Sequence, residues 1–350
     1  MAWHPDGVLR HAGVCDDGEV VAEVVADWYD PVCLPKEFIM PESINRRQVT
    51  KAVATAAVAP AAFTSVTAVG VASMTSLKGN INHSIVFWCF NIAGDKWDLE
   101  KTCQVAEQLG VTSIELIGPE DWPTLKKHGL TCAIAPNGMP GAPFMKGFNN
   151  PVYHAEVIER TSKMIDACAD NRIPSVIGFT GYKWRDAEDP TSGEISREEG
   201  ADNCVKALKQ LARHAEKKGV TLCLEHLNTR DDTHPMKGHP GYQGDDIDYV
   251  ADIVRRVGSN RVKVLFDLYH VQVMNGDLVR RLGECKDVIG HIHTAGNPGR
   301  GEIDASQEIS FPATMRKLIE IGYKGWVGHE FIPTRDALAG LREAVAICDV

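Results

Sequence analysis

Four residues able to bind a cation or move a proton occupy the same kind of place in this sequence, each closing a short apolar run. Glu225 follows Val220-Thr-Leu-Cys-Leu, Asp267 follows Val262-Lys-Val-Leu-Phe, His293 follows Val288-Ile-Gly-His-Ile, and Glu330 follows Trp326-Val-Gly-His. An ionised carboxylate at the end of a buried run costs free energy unless something compensates it. A lone strand-end Asp or Glu reads equally well as a helix cap. Four in succession predict one site, with three carboxylates and an imidazole converging where like charges repel unless a divalent cation sits among them. Oxygen-rich ligation with one nitrogen and no thiolate suits Mn2+ first and Mg2+ next, with zinc and Co2+ left open.

More polar residues follow the same runs. His270 lies three residues after Asp267, and Arg300 lies in the glycine-rich loop 295–302, where its fork could hold a substrate carboxylate. The blander readings are a capping or surface histidine and a solvated loop charge. The long loop 228–243 could fold over the site, which makes Asn228 and His234 candidate substrate contacts. His291 is read as facing away from His293 toward the surrounding helices, a satisfied core histidine like His226 and His329.

Such residues need a scaffold that gathers strand ends. From residue 81 short apolar runs alternate with long amphipathic segments, the pattern of a parallel sheet covered by helices. The runs cover 84–90, 113–117, 130–135, 175–179, 220–225, 262–267, 288–293 and 326–330, with a helix over 98–109 stopped at Gly110 and a closing helix over about 335–347. Eight units in the 270 residues from 81 to 350 predict a (β/α)8 TIM barrel, whose sites form at the C-terminal strand ends. The alternative, a doubly wound open sheet, would want a glycine-rich turn after the first strand, and Asn91-Ile-Ala-Gly94 is not one.

Residues 1–80 have another texture and are predicted to be a non-barrel extension. Arg46-Arg47 precedes an Ala, Val and Thr-rich run through Val71, resembling a twin-arginine export signal over about residues 40–73, with small residues for cleavage at Val71-Ala72-Ser73. The other reading is an incidental basic pair before an Ala-rich helix. Met40 could be the true start. The run is too weakly apolar for a stable membrane span. The signal implies a periplasmic or exported protein, and without it a cytoplasmic one.

Composition bounds the partners. The 350 residues are 44% hydrophobic and 24% charged with a formal net charge of −10, and no basic stretch interleaved with aromatics suits a phosphate backbone, so nucleic acid is not expected as a partner. The ten cysteines form no C-x-x-C pair, and Cys89, Cys132 and Cys223 read as packed thiols. A homo-oligomer is left open.

The segments Leu224-Glu-His-Leu-Asn228, Phe266-Asp-Leu-Tyr-His270, Gly290-His-Ile-His293 with Pro298-Gly-Arg300, and Gly325-Trp-Val-Gly-His-Glu330 resemble the signatures of the xylose-isomerase-like barrel superfamily, and within it most closely the hydroxypyruvate isomerases. The resemblance covers about residues 81–347. It implies that Glu225 and Glu330 are the acid/base pair and also touch the metal, that Asp267 and His293 complete the coordination, and that His270 and Arg300 engage substrate. It further implies proton transfer through an enediolate on a small sugar or hydroxy-keto acid, for hydroxypyruvate yielding tartronate semialdehyde. His293 stands where some hydroxypyruvate isomerases carry Gln and the ketose epimerases carry His. A ketose 3-epimerase or inosose dehydratase on the same barrel is therefore the rival enzyme. An endonuclease of the superfamily fits poorly with the acidic charge, and a non-catalytic periplasmic sugar-binding protein would need no metal flanked by two glutamates.

Overall fold

The computed structural model describes residues 76–350, together with one short antiparallel pair, Leu9–His11 with Val24–Ala26. The export-signal expectation for residues 40–73 lies outside the described residues.

Seven parallel strands share one sheet: β1 (Asn82–Val86), β2 (Ser113–Glu115), β3 (Ser175–Phe179), β4 (Thr221–Glu225), β5 (Val262–Asp267), β6 (Ile289–Thr294) and β7 (Trp326–His329), in the order β2-β1-β7-β6-β5-β4-β3. The gap between β2 and β3 is spanned by residues 130–135, through parallel bridges from Ser113 to Thr131 and from Ala135 to Val176. Leu116 N donates to Ile134 O (2.9 Å) and Ile177 N to Ala135 O (3.0 Å), which closes the ring. The fold is the TIM barrel predicted from the alternation of runs.

Two segments differ from expectation. Residues 130–135 form bridges rather than a regular strand, because the Ala133 amide donates to the Ser113 hydroxyl (2.8 Å) where a ladder carbonyl would stand. The first strand stops at Val86, and Phe87–Ile92 is a short helix that buries Cys89 and Phe90. Short apolar runs do not distinguish buried strand from buried helix, and the packing of Phe90 on Trp97 and Phe331 decides for helix.

Caps set the helix ends. Asp98 accepts from Lys101 N (2.7 Å) at the start of helix Leu99–Leu109, and Gly110 at φ 70 ends it. The closing helix is Ala337–Cys348, capped by Asp336. The two ends of the barrel region meet where Lys78 N donates to Asp349 Oδ2 (3.0 Å). All eight cysteines among the described residues are buried free thiols, including Cys89, Cys132 and Cys223.

Alternation along each strand divides the core in two. Leu222 and Leu224 on β4, Val264 and Phe266 on β5, and Val327 on β7 face the helices in the outer core. Cys223, Leu265, Ile177 and Phe179 face inward, with Ile134, Leu227 and Tyr242, in a second cluster inside the barrel. Glu225 is two residues past Cys223, and Asp267 two past Leu265, so both strand ends turn a polar group onto the barrel axis.

Candidate metal centre and active site

Glu225, Asp267, His293 and Glu330 each offer one ligand atom, and the four atoms all lie within 4.8 Å of one another. The four residues are buried, none more than 4% exposed. The four residues singled out at strand ends converge at one mouth.

The neighbours of each group define what it can do. His293 Nε2 lies 2.9 Å from Glu115 Oε1. A carboxylate only accepts, so this contact makes Nε2 the protonated nitrogen and turns Nδ1 toward the other three residues. His293 Nδ1 is 2.8 Å from Glu330 Oε2 and 3.6 Å from Glu225 Oε1, aligned for a hydrogen bond with neither. Glu225 Oε1 likewise has no hydrogen-bond partner among the described residues. Two orphaned buried donor atoms, side by side and amid three carboxylates, fit a divalent cation.

Asp267 has two duties. Its Oδ1 accepts from Tyr269 N (2.7 Å) and His270 N (3.3 Å), capping helix Leu268–Met274, while Oδ2 faces Arg300 Nη2 at 3.2 Å. The cap and ligand readings of this strand end therefore coexist. Arg300, buried and at φ 55, also donates from Nη2 to Glu330 Oε2 and from Nη1 to Met236 O. Trp88 Nε1 donates to the other oxygen of Glu330 at 3.1 Å.

Electrostatics separate the carboxylates. Burial pushes Glu225 up to about 7 and Asp267 up to about 6. Burial acts in the same sense on Glu330, but the Arg300 guanidinium and the His293 imidazolium outweigh it and bring Glu330 down to about 2. His293 is itself held well above the usual histidine range, its burial overcome by Glu330, Glu115 and Glu225, so without a metal it carries protons on both nitrogens, and a cation would take the place of the one on Nδ1. Glu115 is also held low, its burial overcome by His291 and His293.

The predicted surroundings divide. Arg300 lines a cavity of about 230 Å3 beside the cluster together with Glu225 and Glu330, and His270 and Asn228 do not line it. Asn228 is wholly engaged: its Nδ2 donates to His270 Nδ1 (2.7 Å) and Lys237 O (2.7 Å), and its Oδ1 accepts from Asp231 N (3.0 Å). It pins the loop to His270 instead of reaching the cavity, while His270 Nε2 sits 3.5 Å from Asp267 Oδ2. Burial holds His270 well below the usual histidine range, hence neutral.

The expectation for His291 is corrected. Residues two apart on a strand share a face, so His291 points inward with His293, and its Nε2 meets Glu115 Oε1 at 3.0 Å. His329 is a buried histidine between Thr294 Oγ1 (3.2 Å) and His83 (3.1 Å). His226 is buried too, but neither ring nitrogen has a hydrogen-bond partner among the described residues. Sequence reading missed Glu115, His239 and Trp88. The available signal for Glu115 was a carboxylate inside the apolar run Ser113-Ile-Glu-Leu-Ile117.

A closed parallel barrel with a buried carboxylate and imidazole cluster at its C-terminal mouth defines a class of TIM barrels whose site lies at the strand ends. Within that class residues 103–348 match the model of the xylose isomerase-like TIM barrel family, and the chain belongs to that family. The chain is 38% identical over 137 residues to a 2-oxo-tetronate isomerase of Cupriavidus necator, covering 39% of this chain and 50% of that protein. It is 30% identical over 152 residues to the hydroxypyruvate isomerase of Escherichia coli, covering 43% and 56%. The chain thus spans about half the length of these curated relatives. Among solved structures, the IOLI protein with a bound zinc atom superposes with a TM-score of 0.56 at 18% identity, over 77% of this chain and 95% of that one. That likeness concerns the fold alone.

Proposed function

We propose that this chain is a metal-dependent isomerase acting on a small hydroxy-keto acid, interconverting hydroxypyruvate and tartronate semialdehyde. The observation that carries the reading is the convergence of Glu225 and Glu330 on one cavity, with His293 Nδ1 2.8 Å from Glu330 Oε2 and 3.6 Å from Glu225 Oε1. The isomerase activities of the two relatives support the same class.

Glu225, Asp267, His293 and Glu330 would hold the divalent ion, Mn2+ or Mg2+ by the donor set. When bound, such an ion supplies electrophilic stabilisation of the negative charge that develops on the substrate oxygens. Arg300 holds the substrate carboxylate at the cavity wall. One of the two glutamates takes the proton from the hydroxyl-bearing carbon, and the other returns a proton to the neighbouring carbon, so carbonyl and hydroxyl exchange places. Glu115 keeps the His293 ring in its working tautomer. Asn228 and His270 act one layer back, setting the face that Asp267 presents.

The proposal extends to the layout of the chain. Residues 81–350 form the isomerase domain behind an extension over 1–80, with about 40–73 as a twin-arginine signal leading to the periplasm. No helix among the described residues is long and apolar enough to cross a membrane.

The test is turnover of hydroxypyruvate by the Mn2+-loaded protein in heavy water. Tartronate semialdehyde carrying solvent deuterium is the expected product. Product without solvent deuterium would replace proton transfer by a hydride shift, and absence of product with metal bound would leave a binding protein.

A further inference from the structure

Two buried polar side chains line the cavity beside the cluster with hydrogen-bonding capacity to spare. His239 is 3% exposed, its ring 4.1 Å from that of Phe144 and 6.0 Å from that of His270. Neither of its ring nitrogens is hydrogen-bonded among the described residues. His226 shares that lack, but its two nitrogens are fully enclosed, whereas His239 borders the cavity. Asn137 is 1% exposed, and its Oδ1 accepts from Met139 N at 3.0 Å. A backbone amide can only donate, so the atom Asn137 has left for the cavity is Nδ2, a donor.

The loop fixes His239 from both sides. Its amide donates to Asn228 O (2.7 Å) and its carbonyl accepts from Tyr242 N (3.0 Å), while a Cβ on the preceding Gly238 would collide with Asp231 O. Burial and the Arg300 guanidinium push His239 down to about 3, so the ring is neutral and offers one donor and one acceptor. Buried polar groups are nearly always paired, and those that line a ligand cavity find their partner in the ligand. A hydroxyl suits this pair, because it can accept from the Asn137 amide and donate to the bare imidazole nitrogen. A carboxylate would leave that nitrogen unused, and a hydrocarbon group would leave both side chains unpaired.

We propose that His239 is a specificity-determining residue of the isomerase site. Its imidazole, together with Asn137 Nδ2, binds a hydroxyl that the substrate carries on the carbon beyond the two that exchange carbonyl and hydroxyl. The proposal rests on the isomerase reading. In a substrate R-CH(OH)-CO-COO− the head lies at Glu225, Glu330 and Arg300, which line the same cavity as His239 and Asn137, and R is the part left to reach them.

The experiment measures kcat/KM of the Mn2+-loaded full chain on three acids: R as hydrogen (hydroxypyruvate), R as hydroxymethyl, and R as ethyl. Hydroxymethyl and ethyl have equal numbers of heavy atoms, so their ratio isolates the hydroxyl. In the parent the hydroxymethyl compound should exceed the ethyl compound by about 10- to 100-fold, because ethyl leaves two buried polar groups unpaired. His239→Phe keeps a ring against Phe144 and removes both nitrogens. It should cut that ratio by about tenfold or more, chiefly by raising KM for the hydroxymethyl compound, with a thermal melt and Mn2+ affinity matching the parent's. A parent ratio below about threefold overturns the proposal and leaves the isomerase reading intact, and this measurement decides even if the variant does not fold. A folded His239→Phe with the parent's ratio does the same. No turnover of any of the three acids by the metal-loaded parent overturns both.

Discussion

Glu115→Gln isolates the group that orients His293. In the parent, Glu115 is completely buried and its Oε1 accepts from His291 Nε2 at 3.0 Å and His293 Nε2 at 2.9 Å. The amide keeps the shape and one acceptor oxygen but loses the charge, so the two imidazole N–H groups compete for a weaker acceptor. His293 is then free to carry its proton on Nδ1, the nitrogen that faces Glu225 and Glu330. Outer partners of metal-binding histidines are typically worth about 10- to 100-fold in metal affinity, or roughly 1.4–2.7 kcal/mol at about 1.36 kcal/mol per tenfold. Calorimetric titration of chelator-stripped protein with Mn2+ reads this directly, with a thermal melt by circular dichroism to establish that the variant is folded. Weakening within that range is expected. A folded variant whose Mn2+ affinity stays within about threefold of the parent would show that Glu115 does not prepare His293, and the orientation argument would fail.

Glu225→Gln and Glu330→Gln should each lower hydroxypyruvate turnover by at least about 10²-fold, the usual worth of a general acid or base, with near-native melting; a rate within tenfold of the parent contradicts the assignment. Arg300→Met should raise KM for the acid substrate far more than it changes Mn2+ affinity. It also removes the cation beside Asp267 and Glu330, so in the metal-free protein both carboxyls should titrate at higher pH, followed by carbon-13 NMR. Burial holds Glu225 at about 7 and Asp267 at about 6, above their unfolded values. Their contribution to stability is therefore complete at low pH and lost as pH rises through about 6 to 7, so metal-free protein should melt lower at pH 8 than at pH 5. Mn2+ affinity should move the opposite way and increase over the same window, because the ion displaces those protons; a pH-independent affinity would argue against buried carboxylate ligands.

The barrel was legible because its fourth to eighth runs are long, rich in β-branched and aliphatic residues, and sharply ended. The cluster was legible for the same reason, since a polar residue closing an apolar run is conspicuous at Glu225, Asp267, His293 and Glu330. Glu115 is the opposite case: it lies inside its run, between Ile114 and Leu116, where position says nothing about a strand mouth. Its role exists only through His291 and His293, about 176 residues away in the chain. Asn228 shows the limit for single residues: its amide serves the loop and His270, and a side chain's hydrogen-bond partners are not written in its neighbours in sequence. The strand at 84–90 was read too long because Phe87-Trp-Cys-Phe90 is equally apolar as helix or strand, and only contact with Trp97 and Phe331 distinguishes them.

Anomalous diffraction at the manganese edge, from crystals of the full chain grown with Mn2+, probes the gathering of ligands most directly. One strong peak within coordination distance of Glu225, Asp267, His293 Nδ1 and Glu330 is the predicted result. A peak elsewhere, or none at these four side chains while they keep the arrangement described, would contradict it.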